Sequence, residues 1–157
     1  MASEDYSVLK SAVENALNEL YKKDHYLIIN HPRGNASDYH VSERGIVFRF
    51  GIYLQKILDG SLFKDYNIDV EYNRNMYEKK RLPSFTNGTF PDLILHMRGS
   101  NEHNILILEF KTWWNNNTAD DSEKIKEFMD KNGVYRYKMG ACIVLEKDNP
   151  TISWIVH

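Results

Sequence analysis

The chain is expected to fold as an α/β (α+β) domain in which helices flank a central mixed β-sheet. Three observations predict this. Three segments carry apolar residues at helical spacing. Several shorter segments carry apolar runs or strict alternation. The two kinds interleave as helix, short apolar segment, helix, three strands, helix, two strands. The 157 residues have the composition of an ordinary globular protein and suffice for one core.

Residues 5–23 place Val8, Ala12, Val13, Ala16, Leu17 and Leu20 on one stripe, which marks an amphipathic helix. The stretch "HYLIIN" (25–30) reads as a short strand or apolar connector. "HPRGNASDYH" (31–40) is loop by its Pro, Gly, Asn, Ser and Asp content. Its polar residues His31, Arg33, Asp38 and His40 lack metal-ligand spacing. Ser42 suits the N-cap of a second helix whose stripe is Val47, Phe50, Leu54, Ile57 and Leu58, and Gly60 stops it. "NIDVEYN" (67–73) alternates Ile68, Val70 and Tyr72 with Asp69, Glu71 and Asn73, as a half-buried strand does.

Residues 74–88 are basic and irregular. "PDLILHMRGSNEHNILILEFK" (91–111) holds two apolar runs around a polar turn, an antiparallel hairpin. "NNNTADDS" (115–122) is a loop. Ser122, or an Asp before it, is expected to cap a helix that runs to 131 with Ile125, Phe128 and Met129 inward, and Asn132-Gly133 is its stop. Two closing strands follow, separated by a turn at 148–150. The expected organisation is one domain, 1–157, with its core at about 42–157 and a helical extension and loop over 1–41.

A formal net charge of −2 argues against binding nucleic acid by bulk positive charge. Any such binding must rest on a local patch or on metal ions. One cysteine, Cys142, allows neither an internal disulfide nor a cysteine-based zinc site. The N-terminus is acidic and polar rather than signal-like, and no apolar stretch is long enough for a bilayer. Cytoplasm is the expected compartment, and no membrane partner is expected.

The hairpin carries acids where a buried strand should carry none. A turn centred between Ser100 and Asn101 sets Asp92 directly opposite Glu109, with Cβ atoms about 4.5–5.5 Å apart. Lys111, two residues past Glu109, points to the same face. Two adjacent carboxylates repel unless something positive lies between them, and removing one should relieve the repulsion. Lys111 supplies part of that charge. A divalent cation, which takes oxygen ligands, would supply more. Singly, each residue is better read as a strand cap or a solvated ion pair. Their joint placement beside Leu106, Ile107, Leu108 and Phe110 favours the site. Glu43 joins them, because it lies on the stripe of Val47, Phe50 and Leu54 and so points inward from the helix's first turn. Complementing the helix dipole is the competing explanation for Glu43.

"PD" at 91–92 followed by "EFK" at 109–111 resembles the signature of the PD-(D/E)xK nuclease superfamily. The resemblance covers about residues 42–145 in order of elements. It implies a restriction-endonuclease-like αβββαβ core with an extra N-terminal helix. It also implies a metal-dependent nuclease, with DNA favoured over RNA. Asp92, Glu109 and the Phe110 backbone carbonyl would ligate Mg²⁺, with Mn²⁺ able to substitute. Lys111 would orient the attacking water and stabilise charge on the phosphate. Glu43 would bind a metal water or help hold a second ion. A single-domain nuclease would dimerise or work with partner proteins. The alternative is a catalytically inactive relative that serves as a protein- or nucleic-acid-binding module.

Arg74, Lys79, Lys80 and Arg81 are candidate phosphate contacts expected to border the same edge, although a solvated charge run is the commoner explanation. Trp113 and Trp114 could stack bases or cover the sheet end. Among Tyr135, Arg136, Tyr137 and Lys138, the candidates for substrate contact are Tyr137 and Lys138.

Overall fold

The computed structural model describes residues 3–29 and 40–156. Its elements are α1 (Ser3–Ile29), α2 (Glu43–Leu58), β1 (Asn67–Val70), β2 (Arg74–Asn75), β3 (Glu78–Lys79), β4 (Leu93–His96), β5 (Leu106–Thr112), α3 (Ala119–Met129), β6 (Met139–Leu145) and β7 (Thr151–Val156). The main sheet has the order β1-β4-β5-β6-β7. It is mixed: β5 and β6 run parallel, and the other neighbours are antiparallel. The β5–α3–β6 connection is the helical crossover that a parallel pair requires.

The strands alternate between two cores. Leu93, Leu95, Leu106, Leu108 and Phe110 face α1 and α2. Ile94 and Ile107 face α3, where Ile125, Phe128 and Met129 cover them. Asp92, Glu109 and Lys111 share the parity of Ile94 and Ile107, so they belong to the α3 side. Close approach of α3 is permitted by Gly140 on β6. A Cβ there would lie 2.4 Å from Ile125 Cγ2 and 3.1 Å from Met129 Sδ.

Besides β1, which ends at Val70 rather than at Asn73, three boundaries differ from the sequence reading. First, α1 continues through "HYLII" instead of yielding a strand, after a kink at Asp24 (φ −125°, ψ 26°). Tertiary contacts hold this last part: Trp113 Nε1 donates to the Ile28 carbonyl (2.9 Å), and the Asp24 carboxylate accepts from Arg49 Nε (3.0 Å) and Tyr53 OH (2.6 Å). They override the weak helix propensity of a β-branched run. Second, α3 starts at Ala119, with Thr118 rather than Ser122 at the cap position, and ends at Met129. Third, residues 74–88 are not wholly irregular, because β2 and β3 form a small separate hairpin. Among the described residues no helix is long and apolar enough to cross a membrane.

Candidate active site

The β4–β5 register pairs Leu93 with Leu108, Ile94 with Ile107 and Leu95 with Leu106, as the turn position predicts. One step further sets Asp92 beside Glu109. Asp92 Oδ2 accepts a 2.7 Å hydrogen bond from the Phe110 main-chain N–H. Glu109 is 2% exposed. On α2, Glu43 opens the helix, and its stripe partners Val47, Phe50 and Leu54 are all buried. Glu43 and Asp92 line one small cleft together with Arg44, Val47, Val70 and Glu71.

Two residues of α3 complete the cluster. Lys111 Nζ lies 3.1 Å from Asp121 Oδ2. Lys124 Nζ lies 2.9 Å from Glu109 Oε1 and 3.0 Å from Oε2, with hydrogen-bonding alignment only to Oε2. Glu109 Oε1 and Asp121 Oδ2 are thus buried carboxylate oxygens that accept no hydrogen bond. The sequence reading treated the acids before Ser122 only as candidate caps and missed Lys124. Asp121 carried a legible signal, since it lies on the inward spacing of Ile125 and Phe128.

Electrostatics bind the six groups together. Burial pushes the Glu43 carboxyl up to about 7, with a contribution from Asp92 and opposition from Lys111. Burial also raises Asp92, against the Phe110 N–H and the two lysines. It raises Glu109 well above the usual carboxylate range, where Asp92 adds to the shift and Lys124 opposes it. Burial alone would lower Lys111, but the Asp121 carboxylate outweighs it and holds the ammonium above the ordinary lysine value. With every group ionised, four carboxylates face two ammoniums. Among the described residues, however, no three His, Cys, Asp or Glu side chains are grouped closely enough to hold a metal ion.

The outlying candidates separate. Lys80 is 2% exposed and turned inward, so it does not face a phosphate backbone. It sits among the rings of Tyr72, Phe128, Tyr135 and Tyr137, with Nζ 3.2 Å from Tyr137 OH. Burial lowers its pKa to about 8, with Asp69 opposing. Tyr137 is fully buried in the same cage and is no more available to a substrate. Arg74, Lys79 and Arg81 are exposed, and Lys138 is half-buried. The segment spans two neighbourhoods: the Lys80 carbonyl accepts from the Thr89 N–H (2.9 Å), three residues before Asp92. Asn75 accepts from Asn101 Nδ2 (2.8 Å), which ties the β2–β3 hairpin to the β4–β5 turn at the opposite end.

Trp113 and Trp114 pack against the α1–α2 core, and His40 stacks on Trp114 at 4.1 Å between centroids. These contacts make the pair a cover for the sheet end. His31, Arg33 and Asp38 lie outside the described residues. No protein-family model, curated protein or solved structure matches the chain.

Proposed function

We propose that the chain is a metal-dependent nuclease that hydrolyses phosphodiester bonds, with DNA ahead of RNA as substrate. The observation that carries this reading is the charge excess of the buried cluster. Were all of them ionised, Asp92, Glu109, Glu43 and Asp121 against Lys111 and Lys124 would leave two uncompensated negative charges, the charge of one divalent cation; without an ion, burial instead favours the protonated form of Glu43, Asp92 and Glu109. Glu109 Oε1 and Asp121 Oδ2, buried oxygens that face an ammonium without an aligned hydrogen bond, are atoms that such an ion could also engage. An all-oxygen donor set fits Mg²⁺, or Mn²⁺ in its place.

Asp92, Glu109 and the Phe110 carbonyl would hold the ion. Glu43 would accept from a water of the ion or help to hold a second one. When bound, the ion lowers the pKa of a coordinated water and offsets charge on the phosphate. Lys111, kept protonated by Asp121, is placed to orient the attacking water and to donate to the phosphate oxygens. The succession α2, β1, β4, β5, α3, β6 with α1 in front follows the αβββαβ order of the restriction-endonuclease-like core and supports the reading. A cytoplasmic setting, and work as a homodimer or with partner proteins, belong to the same proposal.

One observation favours the second reading, a catalytically silent module that binds nucleic acid or protein. The Lys124 ammonium already contacts Glu109 where an ion would bind. Incubation of plasmid, single-stranded DNA and RNA with Mg²⁺ or Mn²⁺ separates the two. Cleavage by the wild type and its loss in Asp92→Asn supports the nuclease. Binding of DNA without cleavage under every condition selects the module.

A further inference from the structure

We propose that Lys124 is a resident cation of this site: its ammonium holds the place a divalent ion must take and so sets how tightly that ion binds. The inference rests on the cluster being a cation site and adds to it a residue from outside the hairpin. Lys124 stands on α3, three residues after Asp121, and its side chain is 13% exposed. Its ammonium straddles the Glu109 carboxylate at 2.9 and 3.0 Å and lies 2.8 Å from the Phe90 carbonyl. That is an all-oxygen environment of the kind hard divalent cations take. An exposed surface pair would leave both groups in water, whereas here Glu109 is 2% exposed.

Two cations on one carboxylate repel strongly in a poorly screened interior, so the ammonium and an incoming ion compete for Glu109. An incoming ion is therefore bound most tightly when the ammonium leaves Glu109. The flexible stem of lysine allows this, since rotation about its side-chain bonds carries the charge towards solvent. Asp121 and Lys111 need not move, because their ion pair is separate from the Glu109 contact. Lys124 would thus keep the ion-free site folded and lower its affinity for the ion by the same contact.

The test is calorimetric titration of Mn²⁺ into wild type, Lys124→Met, Lys124→Arg and Asp92→Asn, with melting curves in EDTA and in Mn²⁺. Lys124→Met should bind Mn²⁺ about tenfold or more tightly than wild type, the scale of one charge-assisted hydrogen bond no longer displaced. It should melt lower than wild type in EDTA and gain more from Mn²⁺. Lys124→Arg keeps the charge and should bind no more tightly than wild type. If Lys124→Met fails to fold without metal, Lys124→Gln, which retains a donor for Glu109, is read in its place. Binding by wild type with equal or weaker binding by the neutral variants overturns the role of Lys124 and leaves the cation site standing. Absence of binding in folded wild type and variants overturns the cation site, and the inference with it.

Discussion

Asp92 Oδ2 accepts a hydrogen bond from the N–H of Phe110, one residue past the acid it repels. The carboxylate is therefore both a charge and an acceptor that ties the hairpin's end together. The two roles can be separated. Asp92→Asn keeps an acceptor and removes the charge, so in EDTA it should melt no lower than wild type while losing Mn²⁺ binding and cleavage. Asp92→Ala also relieves repulsion, but it leaves a main-chain N–H without a partner and should cost about 1–2 kcal/mol. Calorimetry of the two variants measures the difference. Equal stability would show that water replaces the lost acceptor.

Stability of the metal-free protein should fall as pH rises through the range between the ordinary carboxyl value of 4.5 and the Glu43 value of about 7. There the folded chain keeps a proton that the unfolded chain has released, and stability declines wherever the folded state binds more protons. Glu43→Gln stays neutral throughout, so its melting temperature should fall less. Asp92 and Glu109 are shifted in the same direction and leave a residual slope. Melts from about pH 5 to 8 in EDTA check this. Identical slopes in wild type and Glu43→Gln would mean that Glu43 is in free contact with water.

Lys111→Met should cut cleavage by about a hundredfold or more, as when a positioned electrostatic group is lost, while Mn²⁺ still binds. The pairing with Asp121 at 3.1 Å adds a stability cost. A mostly buried acid left without its partner should lose about 1–3 kcal/mol. The double variant Lys111→Met/Asp121→Asn should recover most of that stability and none of the activity. Recovered cleavage in the double variant would show that Lys111 acts only by neutralising Asp121.

Lys80→Met should leave cleavage unchanged, because the cage points the ammonium away from any surface phosphate. The swap nearly conserves volume and should change stability by less than about 1.5 kcal/mol. Wild-type stability should rise between about pH 8 and the ordinary lysine value of 10.5, where the unfolded chain holds a proton that the folded one has released. Lys80→Met should lack that rise. A loss of DNA affinity in this variant at unchanged stability would restore Lys80 as a phosphate contact.

The sequence made some of this legible. The β4–β5 register followed from the position of the turn between two apolar runs, and the inward direction of Glu43 followed from the stripe on α2. Both are local patterns. Lys80 misled because its cage is assembled from Tyr72, Phe128, Tyr135 and Tyr137, which come from separate segments. Nothing near "EKKR" distinguishes one inward lysine from its exposed neighbours. The contact between Lys124 and Glu109 was hidden for a similar reason, since it depends on the height and rotation of α3 over the sheet. The end of α1 was misread because a β-branched run favours strand locally, while Trp113, Arg49 and Tyr53 hold it as helix or brace the kink before it.

Gly140 carries a wider consequence. The acids of the hairpin and the charged residues of α3 are set apart by a gauge, and that gauge is a residue without a side chain. A single methyl at position 140 would act as a shim under Ile125 and Met129. Either these side chains give way or the helix moves out, and in the second case the reach of Lys124 to Glu109 would lengthen although no charged group had been altered. The electrostatic balance of the site is thus calibrated from beneath, at a position where no polar chemistry takes place.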